Sequence, residues 1–358
     1  MKIGIDIQTI IGQKTGFGFY VSNLTENLKK IDQTNKYFLF KPDTDKDFSA
    51  PQRFIWDQYR IPALARKNKI NILHQPCFSL PVCYSGKIVA TIHDLIAVKF
   101  NKDIPFFSRQ FFARWMPFTY HKADAIISVS QHTKRDIIKY FKIPEEKITV
   151  IPLAASKNYH PVEESDKIQS IKRKYNTGDK FILHIGTLNP RKNLLFLVEV
   201  FAEIVKKIKN YNLVIVGKEG WYYEKLYEKV RALGIEKKVR FCGYIDEADK
   251  TYLYNAASLF VFPSLYEGFG FPPLEAMSCS IPVVSSNTSS MPEVIGDAGI
   301  LLSPTDKYAW IKAIENILSN EKLRLKMSKL SLARSKLFSW EKCARETIKI
   351  YQNVYNEK

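Results

Sequence analysis

The sequence predicts an α/β protein built from two doubly wound, Rossmann-like domains. Short apolar runs alternate with longer stretches of helical spacing, the pattern of parallel sheets covered by helices. The runs fall into two sets of six, and a polar, charged stretch from Ala155 to Gly178 without a strand-like core separates them.

In the first set the candidate strands are Lys2–Ile7, Tyr37–Phe40, Asn71–His74, Lys87–Ile92, Ala125–Val129 and Lys147–Ile151. In the second they are Phe181–Gly186, Asn212–Gly217, Lys238–Gly243, Ser258–Pro263, Ile281–Ser285 and Gly299–Leu302. Between them lie amphipathic segments such as Leu194–Lys209, where Leu194, Leu197, Val198, Phe201, Ile204 and Val205 share a face. The tail Phe338–Tyr355 also has apolar residues at helical spacing. Residues 1–165 are therefore expected to form the first domain and 166–339 the second.

The 358 residues, 46% hydrophobic and 25% charged, suffice for two globular domains. No apolar run is long enough to span a bilayer, and MKIGIDIQTI reads as a first strand, not a signal peptide. Five scattered cysteines without a CxxC pair suit reduced thiols and a cytoplasmic setting. Fifty-four basic against 36 acidic residues leave +18, which calls for an anionic partner. Cut between Glu164 and Ser165, the halves hold 24 basic and 15 acidic, then 30 and 21, so each carries +9. So even a spread argues against a nucleic-acid stripe or a basic tail. Nucleotide phosphates, a lipid pyrophosphate or an anionic membrane surface remain suitable.

The most informative segment is YEGFGFPPLEAM, Tyr266–Met277. Gly268 and Gly270 follow a strand, and Pro272 and Pro273 suit the first turn of a helix, where a missing N–H goes unused. A glycine turn entering a helix gathers exposed N–H groups and the positive dipole end on one spot, suited to a diphosphate or sugar hydroxyls. Glu267 and Glu275 bracket that spot, eight positions apart.

This segment resembles the E-x7-E signature of the retaining glycosyltransferases of family 4, which have the two-domain GT-B fold. Other motifs follow in matching order: TGFGFYVSNL at Thr15–Leu24, ATIHDL at Ala90–Leu95, DAIISVSQHTKRDI at Asp124–Ile137, HIGTLNPRKN at His184–Asn193 and the tail FSWEKCA…IYQNVY. The resemblance implies an N-terminal acceptor domain, completed by a C-terminal helix over 340–358 that crosses back to it, and a donor domain facing it across a cleft. It also implies roles. Glu267 accepts from donor-sugar hydroxyls beside the N–H groups of Phe269 and Gly270, and Glu275 binds the ribose. Lys192 and Arg191 neutralise the departing diphosphate. Gly16 and Gly18 let the backbone approach that diphosphate. His93, at a strand's C-terminal edge, touches the sugar near the reacting carbon. Asp94 orients His93, caps the next helix or helps the acceptor hydroxyl. A nicotinamide-binding reading of TGFGFYV fails, because about eight residues separate Ile7 from Gly16 and Val21 stands where a third Gly belongs.

No metal or cofactor is expected. Asp43-Thr44-Asp45 spells the DxD of the other main glycosyltransferase architecture but lies in a charged, Pro-bounded loop, which reads as a solvated turn. Two departures from the family pattern, Ser280 in place of Gly and VIPLAAS in place of an Asn-Gly, touch fine specificity.

GYIDEADK, Gly243–Lys250, is the expected base-reading loop, with Ile245 bonding through its backbone and Glu247 accepting from the N1–H and amino group of guanine. It resembles the loop of GDP-mannose users, so GDP-mannose is the first-choice donor and a UDP-sugar the second; an epimerase or phosphorylase is a more distant alternative. The acceptor is expected to be a glycan or a polyprenyl-linked sugar. Lys99–Lys122 holds eight aromatic and five basic residues against one acid, which fits either an anionic membrane surface or a core wall with snorkelling cations.

Overall fold

Two six-stranded sheets, both parallel in every adjoining pair, organise the chain. The computed structural model describes residues 1–11, 16–100, 106–218 and 223–357, with the side chains of 106 and 107 excluded. The first sheet contains β1 (Lys2–Asp6), β2 (Lys36–Phe40), β3 (Ile72–Gln75), β4 (Lys87–Ile92), β5 (Ala125–Ser128) and β6 (Ile148–Val150) in the order β2-β1-β3-β4-β5-β6. The second contains β7 (Phe181–Ile185), β8 (Asn212–Val216), β9 (Val239–Phe241), β10 (Leu259–Phe262), β11 (Val283–Ser286) and β12 (Ile300–Leu302) in the order β12-β11-β10-β7-β8-β9. All twelve expected strands form; the inner ones β3, β7 and β10 are buried at every position, while the edge strands β2 and β12 are mostly half-buried.

One compact unit comprises Met1–Leu153 with Ser339–Lys358, and the other Ala154–Phe338. In the first, helix Trp340–Asn356 packs on helix Gly16–Ile31 and buries Trp340, Ala344, Thr347, Ile350, Tyr351 and Val354. The Tyr351 hydroxyl lies 2.6 Å from His74 Nδ1 on β3, so a polar bond adds to that apolar seam. In the second, helix Leu194–Lys207 turns Leu197, Val198, Phe201 and Ile204 into the core beside Trp310 and Ile314. The polar stretch after Ala155 contains a helix, Ser165–Lys174, within this second unit. Its one buried residue is Ile171, too sparse an apolar signal to read as a helix from sequence. Among the described residues no helix is long and apolar enough to cross a membrane.

In each sheet the strand order reverses at one point, where crevices open at the C-terminal strand ends. The reversal lies between β1 and β3 in the first sheet and between β7 and β10 in the second.

Candidate active site

Both basic and acidic members of the expected donor site sit at the second sheet's reversal. The segment after β7 carries Arg191 and Lys192 in a short 3₁₀ turn, Pro190–Lys192, followed by Asn193 in the left-handed region at φ 57°. The segment after β10 carries Glu267. Adjacent parallel strands thus deliver both signs of charge to one place. Lys192 Nζ lies 2.6 Å from Glu267 Oε1, and Arg191 Nη1 also lies 2.6 Å from that oxygen. Ser264 Oγ donates to it as well, at 2.6 Å.

Burial of Glu267 would raise its pKa, but the Lys192 and Arg191 charges outweigh that and hold it down at about 2. The carboxylate is therefore ionised. Two cations and a hydroxyl converge on Oε1, while no described residue hydrogen-bonds Oε2. That oxygen, and the N–H groups of Phe269 and Gly270, for which no described residue is an acceptor, are polar atoms that a ligand can engage.

The loop bearing them is built rigidly. Glu267 N–H donates to Ser289 Oγ at 2.9 Å, and Ser290 Oγ donates to the carbonyls of Glu267 and Phe269 at 3.1 and 2.6 Å. Arg191 also donates to the Tyr266 carbonyl. Gly270 begins helix Phe271–Ser278 at φ 117°, and a Cβ there would sit 2.5 Å from Met291 Cε. Only glycine fits that entry. Gly217, at the end of β8, is similarly constrained: its Cβ would lie 2.0 Å from the Gly186 carbonyl oxygen.

Glu275 joins a second cluster. Tyr254 Oη donates to its Oε2 at 2.8 Å, and burial lifts the carboxyl to about 7, against the Lys250 charge and the Tyr254 bond and with help from Glu247. Glu247 opens helix Glu247–Ala256, where Tyr159 Oη donates to it at 2.9 Å and Lys250 pairs with it. Ile245, just before that helix, is buried. Tyr159, Tyr254, Lys250, Ser264, Ser289 and Ser290 escape the sequence reading. Their only signal is a polar residue within an otherwise apolar or turn segment.

In the first unit, His93 follows β4. Its Nε2–H donates to the Pro76 carbonyl at 3.0 Å, and burial lowers its pKa to about 4, so the ring is neutral at pH 7. The rings of Phe17 and Tyr20 pack against it at 4.9 and 4.7 Å. Asp94 Oδ1 accepts from the Ile96 N–H at 2.9 Å, two residues on. Gly16 and Gly18 stand at the first and third positions of helix Gly16–Ile31, so both are helical and not in an open loop. Asp43 and Asp45 are exposed in irregular backbone after β2.

The basic aromatic stretch divides. Residues 101–105 and the Phe107 side chain lie outside the described residues. Phe111 is buried, and Trp115 is wedged between Phe54 and Phe118, with ring centroids at 5.4 and 5.9 Å. Phe118, Arg114 and Lys122 are exposed.

Residues 165–332 match the model of "Glycosyl transferases group 1" and residues 34–155 that of "Glycosyltransferase Family 4". The chain is 34% identical over 288 residues to the O-antigen chain mannosyltransferase B of Escherichia coli, covering 80% of this chain and 75% of that protein. It is 33% identical over 270 residues to the serotype-specific mannosyltransferase WbdA of Escherichia coli, 73% of this chain but only 33% of WbdA. The structure of sucrose-phosphate synthase from Thermosynechococcus elongatus superposes with a TM-score of 0.78 over 99% of both chains, at 20% identity. The chain belongs to glycosyltransferase family 4 and is a hexosyltransferase of the GT-B fold.

Proposed function

We propose that the chain moves mannose from GDP-mannose, with retention of configuration, to a glycan or lipid-linked acceptor in the synthesis of a surface polysaccharide. The observation that carries the transfer chemistry is the asymmetry of Glu267, ionised and saturated at Oε1 yet open at Oε2 beside Lys192 and Arg191. Oε2 accepts from donor-sugar hydroxyls, while the two cations stabilise the charge that develops on the departing diphosphate. The bond from the anomeric carbon to the phosphate oxygen breaks, and the acceptor hydroxyl bonds that carbon on the same face. The hydroxyl proton passes to the leaving phosphate oxygen. Glu275 binds the ribose hydroxyls, and neutral His93 contacts the sugar. The mannose assignment rests on the two mannosyltransferase relatives, and the guanine assignment on Glu247.

A melting-shift panel of GDP-mannose, UDP-glucose, UDP-N-acetylglucosamine and the free nucleotides tests the donor, since a bound ligand stabilises by mass action. GDP-mannose is expected to give the largest shift. A larger shift with a UDP-sugar would replace the mannose reading by the second-choice donor. Product analysis with and without acceptor separates transfer from epimerase or phosphorylase chemistry.

Exposed Phe118 between exposed Arg114 and Lys122 favours a surface that meets an anionic membrane. The inserting ring in this reading is Phe118 and not the buried Phe111.

A further inference from the structure

Beside the segments that follow β3 and β4, a cavity of about 240 Å³ is lined by Phe17, Phe78, Phe112, His93, Asp94 and Tyr120 among others. Phe78 stands in the left-handed region at φ 64°. A bulky residue adopts that conformation only where its surroundings over-determine it. Here they do. The following residue, Ser79, is fully buried and donates to Asp57 Oδ2 through both Oγ, at 2.6 Å, and N–H, at 3.2 Å. Gln58 Nε2 and Gln75 Nε2 donate to Ser79 Oγ and to its carbonyl, at 3.3 and 3.2 Å.

Asp57 is itself fixed, because Gln8 Nε2 bridges it to Asp6 with bonds of 2.9 and 2.5 Å. Burial raises the pKa of both carboxyls, and the charge of Asp6 raises that of Asp57 further. Arg53 Nη1 donates to Gln8 Oε1 at 3.1 Å, and its guanidinium covers one face of the Phe78 ring at 3.6 Å. Phe17 and Phe112 stand edgewise or tilted to that ring, 5.9 and 6.2 Å away. One residue earlier in the same loop, Cys77 Sγ is 4.0 Å from His93, and Pro76 receives the His93 bond.

The glycosyl-transfer mechanism above uses none of Phe78, Asp57 or Arg53, yet a buried network spends polar groups on holding one strained aromatic ring beside His93. A ring backed by a cation and framed by two others suits the C–H face of a pyranose, and the polar side chains of His93, Asp94 and Tyr120 line the same cavity. We propose that Phe78 determines acceptor specificity by stacking on a pyranose ring, and that Asp57 is the positioning residue that holds Phe78 there. The inference rests on the chain being a glycosyltransferase that takes a sugar acceptor. It does not depend on which nucleotide sugar is the donor.

The test uses the full chain and a panel of methyl α-glycosides of mannose, glucose, galactose and N-acetylglucosamine, read by saturation-transfer NMR and titration without donor. At least one glycoside is expected to bind, with saturation strongest on its ring C–H groups. Phe78→Leu should weaken it roughly three- to tenfold, the range of an aromatic contact, and Phe78→Tyr should retain it. Asp57→Ala should weaken it to the same extent and Asp57→Asn should restore it, because the amide oxygen still accepts from Ser79. Should Asp57→Ala unfold, Ser79→Ala removes the hydroxyl's bonds to Asp57 and Gln58, keeps the N–H bond, and should weaken glycoside binding while leaving the nucleotide-sugar melting shift unchanged. No glycoside binding by the parent protein, or unaltered binding by Phe78→Leu, overturns the stacking role. Unaltered binding by folded Asp57→Ala or by Ser79→Ala overturns the positioning role. Absence of any nucleotide-sugar shift alongside the expected glycoside results would remove the donor assignment and leave this inference standing.

Discussion

Tyr254 donates its hydroxyl hydrogen to Glu275 Oε2 at 2.8 Å, and the carboxyl that receives it titrates at about 7, not at its ordinary 4.5. In the proposed role of Glu275 as acceptor for the ribose diol, the carboxyl works best ionised. GDP should therefore bind up to about tenfold more tightly at pH 8 than at pH 6, following the ionised fraction. Stability runs the other way. The raised pKa means the folded state holds this proton more firmly than the unfolded chain does. Its contribution is complete below about pH 4.5 and fades as pH rises through about 7. Tyr254→Phe removes a bond that lowers the pKa, so the binding profile should move to higher pH. Calorimetric titration of GDP at three pH values reads both effects, and a flat dissociation constant from pH 6 to 8 would remove Glu275 from the ribose site.

Lys192→Met leaves a buried carboxylate with one of its two cationic partners gone. Breaking a buried pair from one side costs about 3–5 kcal/mol, so urea denaturation should show a loss of that order. Turnover should fall about 10²–10³-fold, as when one preorganised donor to a developing anion is removed. The acid limb should move too. Glu267 titrates at about 2 in the folded state, below its ordinary 4.5, so its stabilisation is present above pH 4.5 and disappears as pH falls through about 2. Without Lys192 that loss should begin at higher pH.

Lys142, an exposed residue, ends helix Gln131–Phe141 in the left-handed region at φ 57°. Lys142→Gly should stabilise the protein by about 0.5–1 kcal/mol by removing the Cβ penalty at this C-cap, with transfer activity unchanged. A thermal melt distinguishes gain from loss directly. A lower melting temperature would mean that the Lys142 side chain contributes more than its backbone conformation costs.

Membrane attachment is tested with vesicles containing anionic lipid. The protein should co-sediment at low ionic strength and be released by salt. Replacing Arg114, Phe118 and Lys122 by Ser should weaken sedimentation, with about 1 kcal/mol lost per basic residue. Retention of full binding by this variant would place the docking surface elsewhere, and absence of binding by the parent would point to an acceptor presented in solution.

Much of the fold was legible because a parallel sheet writes itself plainly. FILHI and LFVF must be apolar on both faces, and such runs between helical stretches admit few other readings. The Glu267 loop was legible for a related reason: glycine and proline mark where the backbone does something unusual. The supporting polar groups were hidden, because a buried serine such as Ser264 looks like any turn serine until its partner 3 residues on is seen to be a paired carboxylate. The π-helical turns Trp56–Arg60 and Phe111–Trp115 were equally hidden, since one extra residue in a turn leaves no mark on composition. Within these turns Asp57, Gln58 and Phe111 are buried.

Helix Trp340–Asn356 gives the protein an unusual order of assembly. A chain emerging from the ribosome exposes all six strands of the first sheet, and then the entire second unit, before the helix that packs on helix Gly16–Ile31, with Trp340 beside Tyr20, has been made. The half synthesised first is thus finished last, and during that interval an apolar face of the nascent unit lies bare to chaperones or to a neighbouring copy. A message truncated at Ser339 would release a molecule whose second unit is complete and whose first unit still waits for its closing piece.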